Sequence, residues 1–147
     1  MSNLISNLMV AARNNHSKII KGILKDNNID INEMYDNTNT IFSKMCYNAN
    51  LTTIKLIVSY NPNKYSLSVG IKNISEEFNR MGDPLYDYPN YIRCCNVLIN
   101  EANGDLYLIK PYFIQFFRDV DLELFIIDFP DKYNEYRKLI KRDKFNL

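Results

Sequence analysis

The chain has 147 residues, of which 46% are hydrophobic and 24% charged, the size and composition of one globular domain rather than of a disordered tail. Its 18 basic and 17 acidic residues leave a formal net charge of +1, so the chain as a whole has no strong attraction for nucleic acid or anionic membrane. With 4 Gly, 1 His and 3 Cys, the composition argues against glycine-rich phosphate loops, multi-histidine zinc sites and a disulfide framework.

The N-terminus lacks a basic region followed by an apolar stretch, and no apolar run approaches the ~20 residues that span a bilayer. We therefore expect a protein of the cytoplasm or nucleus, with reduced thiols. We also expect it to use no cofactor. Helical geometry separates the adjacent Cys94 and Cys95, so we expect Cys95 to point inward and Cys94 partly outward. No nucleophile motif accompanies the single His16, and we expect no catalytic site and no metal site.

Two similar segments make up residues 6–58, and each reads as a short helix, a tight turn and a second helix. Ala12 and Cys46 are 34 residues apart, as are Ile20 and Ile54. Small or slender residues at Ala11, Ala12, Met45 and Cys46 predict a close approach of the first helices. The residues expected to fill the layer between the segments are Ile19, Ile20, Ile23, Leu24, Ile54, Ile57 and Val58.

These segments resemble the ankyrin repeat. Residues 11–16 are similar to the centre of the family pattern, residues 30–32 to its terminal turn, and residues 36–42 to the next hairpin and helix start. The resemblance implies an all-α, ankyrin-like helix-turn-helix solenoid of about four degenerate repeats with a C-terminal capping helix. It also implies that His16 begins the second helix and hydrogen-bonds the backbone of the turn.

The resemblance divides the single domain into units at about 5–34, 35–65, 66–104 and 105–130, followed by a cap at 131–147. In the third unit, residues 67–73 correspond to residues 8–14, and the second helix is expected at residues 90–102. An insertion is expected at residues 74–90. There, Ser75 is expected to begin a separate capped helix that ends at Met81 and Gly82.

The family's usual contact face is concave, and the resemblance carries it over to Val10, Arg13 and Asn14 in the first unit. In the second unit the corresponding residues are Asp36, Asn37, Asn39, Lys44, Tyr47 and Asn48, and Lys72 and Asn73 correspond in the weaker third unit. The insertion at 83–91 offers a second surface, with Tyr86 and Tyr88 as candidates because tyrosine is favoured at binding surfaces. The alternative is that those tyrosines pack back onto the domain.

The sequence therefore predicts a non-catalytic protein–protein interaction module whose partner is another protein. We expect it to bind no nucleic acid, membrane or small-molecule substrate. Divergent single-domain chains of this kind resemble those of large DNA viruses or intracellular microbes, which often engage host proteins in the host cytoplasm or nucleus. Two alternatives remain open. One is a structural subunit docking through its aromatic C-terminal part, and the other is a small enzyme, which would need a deep pocket with convergent ionisable groups.

Overall fold

The computed structural model describes residues 3–47, 49–80 and 88–102. Within these ranges the chain is all-helical, as predicted, and its one strand-like feature is an isolated antiparallel bridge between Met34 and Thr40. The helices are α1 (Asn3–Arg13), α2 (Ser17–Asp26), α3 (Ile41–Met45), α4 (Leu51–Val58), α5 (Lys64–Arg80) and α6 (Tyr88–Glu101).

The helices pack in two rows. In the first row α1 contacts α3, and α3 contacts α5; in the second row α2 contacts α4, and α4 contacts α6. The rows are joined where α1 packs on α2 and α5 on α6. Helices α1, α2, α5 and α6 pack against both their own partner and a neighbouring pair, whereas α3 and α4 pack mainly against the neighbouring pairs. Short helices gain most of their stability from such packing.

Small side chains let the first row pack closely. Ala11 and Ala12 of α1 are buried, as are Met45 of α3 and Cys46 at its C-terminal end. In α5 the close approach falls at Gly70, where an added Cβ would lie 3.1 Å from Cys46 Sγ. The predicted small-residue positions are thus confirmed.

The second row is filled by branched apolar residues at helical spacing. Ile20, Ile54 and Ile57 are completely buried, and Leu24 nearly so. The prediction for Ile19 is wrong, because its side chain is 50% exposed. Ile19 precedes the buried Ile20 by one residue, a rotation of about 100° around α2, and that rotation turns its side chain away from α1 and α4.

Both cysteines of α6 are buried, so the prediction that Cys94 points partly outward is wrong. Cys94 is 1% exposed and its thiol lies 3.9 Å from the carbonyl oxygen of Ala49. Since α6 packs against both α4 and α5, two faces that differ by about 100° are covered at once.

The prediction that a separate helix begins at Ser75 is also wrong. Residues 64–80 form one continuous helix, α5, whose buried Leu67, Ile71 and Ile74 follow the spacing of a single apolar face. No Gly or Pro interrupts residues 71–80, so the helix continues through the predicted start. The predicted second helix of the third unit is present as α6.

The turn between α1 and α2 is a Schellman motif. The backbone N–H of Asn15 donates to the carbonyl of Ala12, and that of His16 to the carbonyl of Ala11. Asn15 adopts a φ of 57°, a left-handed conformation that asparagine tolerates better than most residues. His16 does precede α2, but its side chain makes no capping hydrogen bond to that helix, contrary to the expectation.

A motif of two asparagines and one hydroxyl residue occurs twice and connects successive helix pairs. Asn50 caps α4 by accepting the N–H of Thr53, and Asn15 Oδ1 accepts both the Asn50 N–H at 2.9 Å and the Thr53 hydroxyl at 2.8 Å. In the second copy the upstream residue is Asn32, the cap is Asn63 and the hydroxyl belongs to Ser66; Asn32 Oδ1 accepts both bonds at 2.8 Å.

This upstream asparagine holds each new helix at its first turn, where backbone N–H groups otherwise lack partners. Thr53 and Ser66 are completely buried, so the bonds also satisfy hydroxyls that have no access to solvent. The motif thus fixes how one helix pair sits on the next.

Several predicted features lie outside the described residues. They are the fourth unit at 105–130, the cap at 131–147, the aromatic C-terminal part, Asn48 and Tyr86. Residues 83–87 of the proposed binding insertion lie outside as well.

Candidate functional site

The segment before α3 is a hairpin closed by the Met34–Thr40 bridge. At its tip, Asp36 Oδ1 accepts the backbone N–H groups of Asn39 at 2.7 Å and Thr38 at 2.9 Å. These bonds, that of Asn39 above all, lower the pKa of the exposed Asp36 carboxyl from 3.8 to about 2. The tip therefore carries a carboxylate that stays ionised and is held by the backbone it organises.

Tyr65 of α5 is hydrogen-bonded to this tip. The hydroxyl of Tyr65 donates to the carbonyl oxygen of Thr38 at 2.6 Å, which ties the hairpin of the second helix pair to the third pair. The side chains of Tyr65, and of Met34 at the base of the hairpin, are 42% and 49% exposed. The hairpin is thus anchored at its base by the bridge and at its tip by a second element.

Five side chains form a group on the first row that we call the Tyr47 cluster: Tyr35, Lys44, Tyr47, Lys72 and Glu76. Lys44 Nζ lies 5.5 Å from the centre of the Tyr35 ring and 5.2 Å from that of Tyr47, within the range of cation–π attraction. The hydroxyl of Tyr47 donates to Glu76 Oε2 at 3.3 Å, and Lys72 Nζ lies 3.8 Å from Glu76 Oε1.

The cluster presents two ammonium groups, two phenol rings and one carboxylate on a surface shared by the hairpin, α3 and α5. Its aromatic and lysine side chains are half-buried, so part of each is ordered by the fold while the polar end reaches solvent. Tyrosine and cationic side chains in this setting offer both contact area and directed hydrogen bonds to a partner.

Of the residues predicted to contact a partner, most are accessible. Val10 is 48% exposed, and the exposed polar residues are Arg13, Asn14, Asp36 and Asn37. Lys44 and Tyr47 are half-buried and belong to the Tyr47 cluster. Val10 and Arg13 lie in α1 and Asn14 directly follows it, whereas the cluster is built from the hairpin, α3 and α5. Tyr88 begins α6, but its side chain is outside the described set.

The prediction that Asn39 contacts a partner is wrong, because its side chain is only 8% exposed. Its Oδ1 accepts the Ser43 hydroxyl at 3.1 Å and the Asn73 amide at 2.8 Å. Asn73, also expected on the contact face, is buried and donates to the Ser43 carbonyl as well. Both amides satisfy polar groups between α3 and α5, which explains asparagine there without a binding role.

Sequence reasoning missed Tyr35 and Glu76. Glu76 follows Lys72 by four residues, the spacing at which side chains meet on a helix. The sequence therefore indicates this pair, provided that α5 is one continuous helix. Tyr47 follows Lys44 by three residues at the end of α3, which is also a helical spacing. The contact of Tyr35 with Lys44 joins the hairpin to α3, and no helical spacing reveals it.

Neither metal chemistry nor a membrane span is indicated by the part of the chain that is described. Among residues 3–47, 49–80 and 88–102, no three His, Cys, Asp or Glu side chains gather closely enough to hold a metal ion. Over the same ranges, no helix combines the length and the apolar character needed to cross a bilayer.

Comparison of the chain with protein-family models, with curated proteins and with solved structures finds no match in any of the three.

Proposed function

We propose that this chain is a non-catalytic, ankyrin-like repeat protein that binds another protein through its first row and hairpin tip. Three features support the ankyrin-like assignment: helix pairs in two rows, a bridged hairpin before α3, and an asparagine motif that recurs between pairs. Repeat proteins of this type use extended surfaces built from successive units to contact their partners.

The observation that carries the proposal is the ordering of polar and aromatic side chains across units. The Tyr47 cluster and the Tyr65–Thr38 bond link groups from the second and third helix pairs on one side of the molecule. A surface that is already ordered loses little conformational freedom on binding, so more of the contact energy appears as affinity.

The chemistry of individual groups supports a role without catalysis. Asp36, with a pKa of about 2, is a poor proton acceptor or donor near neutral pH. Burial raises the pKa of the Cys46 thiol, and the nearby Cys94 raises it further, which disfavours the thiolate that a nucleophile needs. Asp36 thus serves the hairpin turn, and Cys46 serves the buried core.

A capture experiment with matched variants tests this function. The full chain is used as bait in a cell lysate beside the double variant Arg13→Ala/Tyr47→Ala and the double variant Lys18→Ala/Lys55→Ala. The latter changes two exposed lysines of the second row. We expect a partner that is recovered with the wild type and the second-row variant and lost with the first-row variant.

Equal recovery by all three proteins would contradict use of the first row. A further variant that lacks residues 83–88 tests the insertion as the binding surface. Loss of the partner with this deletion alone would place the binding site in the insertion. Circular dichroism of each variant checks that its helices are intact before recovery is compared.

A further inference from the structure

The charge of the first row is strongly one-sided. Helices α1, α3 and α5 together hold five basic residues and two acidic ones. Residues 37–75 contain no aspartate or glutamate, and three of their four lysines lie in this row, the fourth being Lys55 of the second row. Of the four acidic residues before residue 37, Asp26 ends α2, and Asp30, Glu33 and Asp36 lie in the segment between α2 and α3. Cations and phenol rings therefore dominate the row surface near Tyr47.

One carboxylate, that of Glu76, already bridges the donors of this surface. It accepts the Tyr47 hydroxyl at 3.3 Å and lies 3.8 Å from Lys72 Nζ. Both contacts are long, since hydroxyl donors approach carboxylates to about 2.6 Å in strong bonds. Lysine precedes glutamate by four residues, the weaker order for such a pair, and the two side chains are 38% and 53% exposed.

The internal carboxylate is thus held loosely and can be exchanged for another. We propose that the Tyr47 cluster binds an acidic, glutamate- or aspartate-rich segment of a partner protein, with a partner carboxylate taking the place of Glu76 between Tyr47 and Lys72. Lys44, held between the two tyrosine rings, supplies a second cation for the next acidic residue of the segment. This inference rests on the proposed function and names the chemistry of its partner.

A peptide fits these observations better than a phosphate polymer or a lipid surface. The cluster offers two lysines beside two phenol rings, which suit an acidic chain with some apolar contact. The net charge of +1 supplies little of the long-range attraction on which binding to nucleic acid depends.

The test measures fluorescence anisotropy of a labelled glutamate-rich peptide titrated with the full chain at low salt. A lysine-rich peptide of equal length, duplex DNA and phosphatidylserine vesicles serve as parallel probes. We expect the glutamate-rich peptide to bind more tightly than each of the others. Stronger binding of any parallel probe would overturn the assignment to an acidic peptide.

Three variants locate the binding, with Lys55→Ala as control because Lys55 is an exposed lysine of the second row. Exposed charge pairs are individually weak, so Lys72→Ala and Tyr47→Phe are each expected to weaken binding by about two- to fivefold relative to that control. Glu76→Gln removes the internal competitor and is expected to strengthen binding by a similar factor. Thermal melts of all four variants identify any change that comes from unfolding.

Equal weakening by Lys72→Ala and Lys55→Ala, or a Glu76→Gln protein that binds no more tightly than the wild type, would overturn the proposal. Failure here is distinct from failure of the proposed function. A captured partner that is lost with Arg13→Ala/Tyr47→Ala, yet unaffected by Lys72→Ala and Glu76→Gln, leaves the first row as a binding surface and removes only its acidic ligand.

Discussion

Asn15 holds the next helix pair by accepting the backbone N–H of Asn50 through Oδ1 at 2.9 Å. The same oxygen accepts the hydroxyl of the fully buried Thr53 at 2.8 Å. One amide in a turn thus satisfies two donors at the start of α4, across 35 residues of sequence. The equivalent bonds of Asn32 to Asn63 and Ser66 repeat this arrangement at the start of α5.

Replacing Asn15 with Gly tests the motif without creating strain, because glycine accepts the φ of 57° as readily as asparagine. The change leaves the Thr53 hydroxyl buried without its acceptor, and we expect a loss of about 1–3 kcal/mol in the free energy of unfolding. Asn28→Gly is the matched control, since Asn28 also has a positive φ but is exposed. Urea denaturation that gives the same loss for both variants would contradict a role for the Asn15 amide.

The two described glycines of helix interiors should respond oppositely to alanine. Nothing lies within 4 Å of a Cβ added at Gly22, so Gly22→Ala should stabilise the protein by about 0.5–1 kcal/mol through helix propensity. A Cβ at Gly70 would lie 3.1 Å from Cys46 Sγ, 3.2 Å from Leu98 Cδ1 and 3.3 Å from Phe42 Cε1. Because these neighbours belong to two other elements, we expect Gly70→Ala to destabilise by about 1 kcal/mol.

Thermal melts followed by circular dichroism check the pair. An increase in melting temperature for Gly70→Ala as large as that for Gly22→Ala would show that α3 and α6 can move apart at no cost. That result would contradict the close packing of the first row.

Two buried amides differ in whether their hydrogen-bonding groups are satisfied. The Asn96 side chain is completely buried and, within the described part of the chain, neither its oxygen nor its nitrogen has a hydrogen-bond partner. Asn73 is also buried, but its amide nitrogen donates to Asn39 and Ser43. We expect Asn96→Leu to stabilise the fold and Asn73→Leu to destabilise it, by about 1–3 kcal/mol in each direction. A destabilised Asn96→Leu protein in chemical denaturation would mean that this amide is satisfied after all.

Asp36 makes hairpin stability depend on pH. Its pKa is lowered to about 2 in the folded chain from 3.8, so the folded state binds the proton more weakly than the unfolded state. The stabilisation by the carboxylate is therefore complete above about pH 4 and is lost as the pH falls toward 2. Asp36→Asn should be less stable than the wild type at pH 7, with a difference that shrinks over this window.

The comparison uses urea denaturation of both proteins at several pH values, supported by the carboxyl chemical shift of Asp36 in NMR. A difference that stays constant from pH 7 to pH 2 would contradict the role of ionisation. Because the side chain is exposed, high salt should leave the backbone hydrogen bonds in place and reduce only the charge contribution.

The cysteines should resist modification until the chain opens. Cys46, Cys94 and Cys95 are all buried and none is in a disulfide, and burial raises the pKa of the Cys46 thiol. We expect no reaction with iodoacetamide at pH 8 under native conditions and modification of all three thiols in denaturant. Mass spectrometry that finds rapid native labelling of Cys94 would contradict the packing of α6 against both α4 and α5.

The sequence alone determined the positions that recur between helix pairs. The spacing of 34 residues placed Ala12 with Cys46 and Ile20 with Ile54, and all four are buried. These buried positions can be predicted because apolar periodicity and small residue size are properties of the local sequence. The hairpin before α3 was expected from the resemblance of residues 36–42 to the ankyrin pattern, and in the structure Asp36 closes its turn locally.

Only the tertiary structure decided which of these residues are buried and which contact each other across different elements. Asn39 reads as a surface residue, yet α5 covers it and gives its amide the partner Asn73. Cys94 reads as half-outward, yet two helices enclose α6. The Tyr47 cluster likewise depends on how the hairpin and α5 meet α3. Burial and charge contact are set by distance in space, and the chain brings residues about 30 positions apart to that distance only when the helix pairs stack.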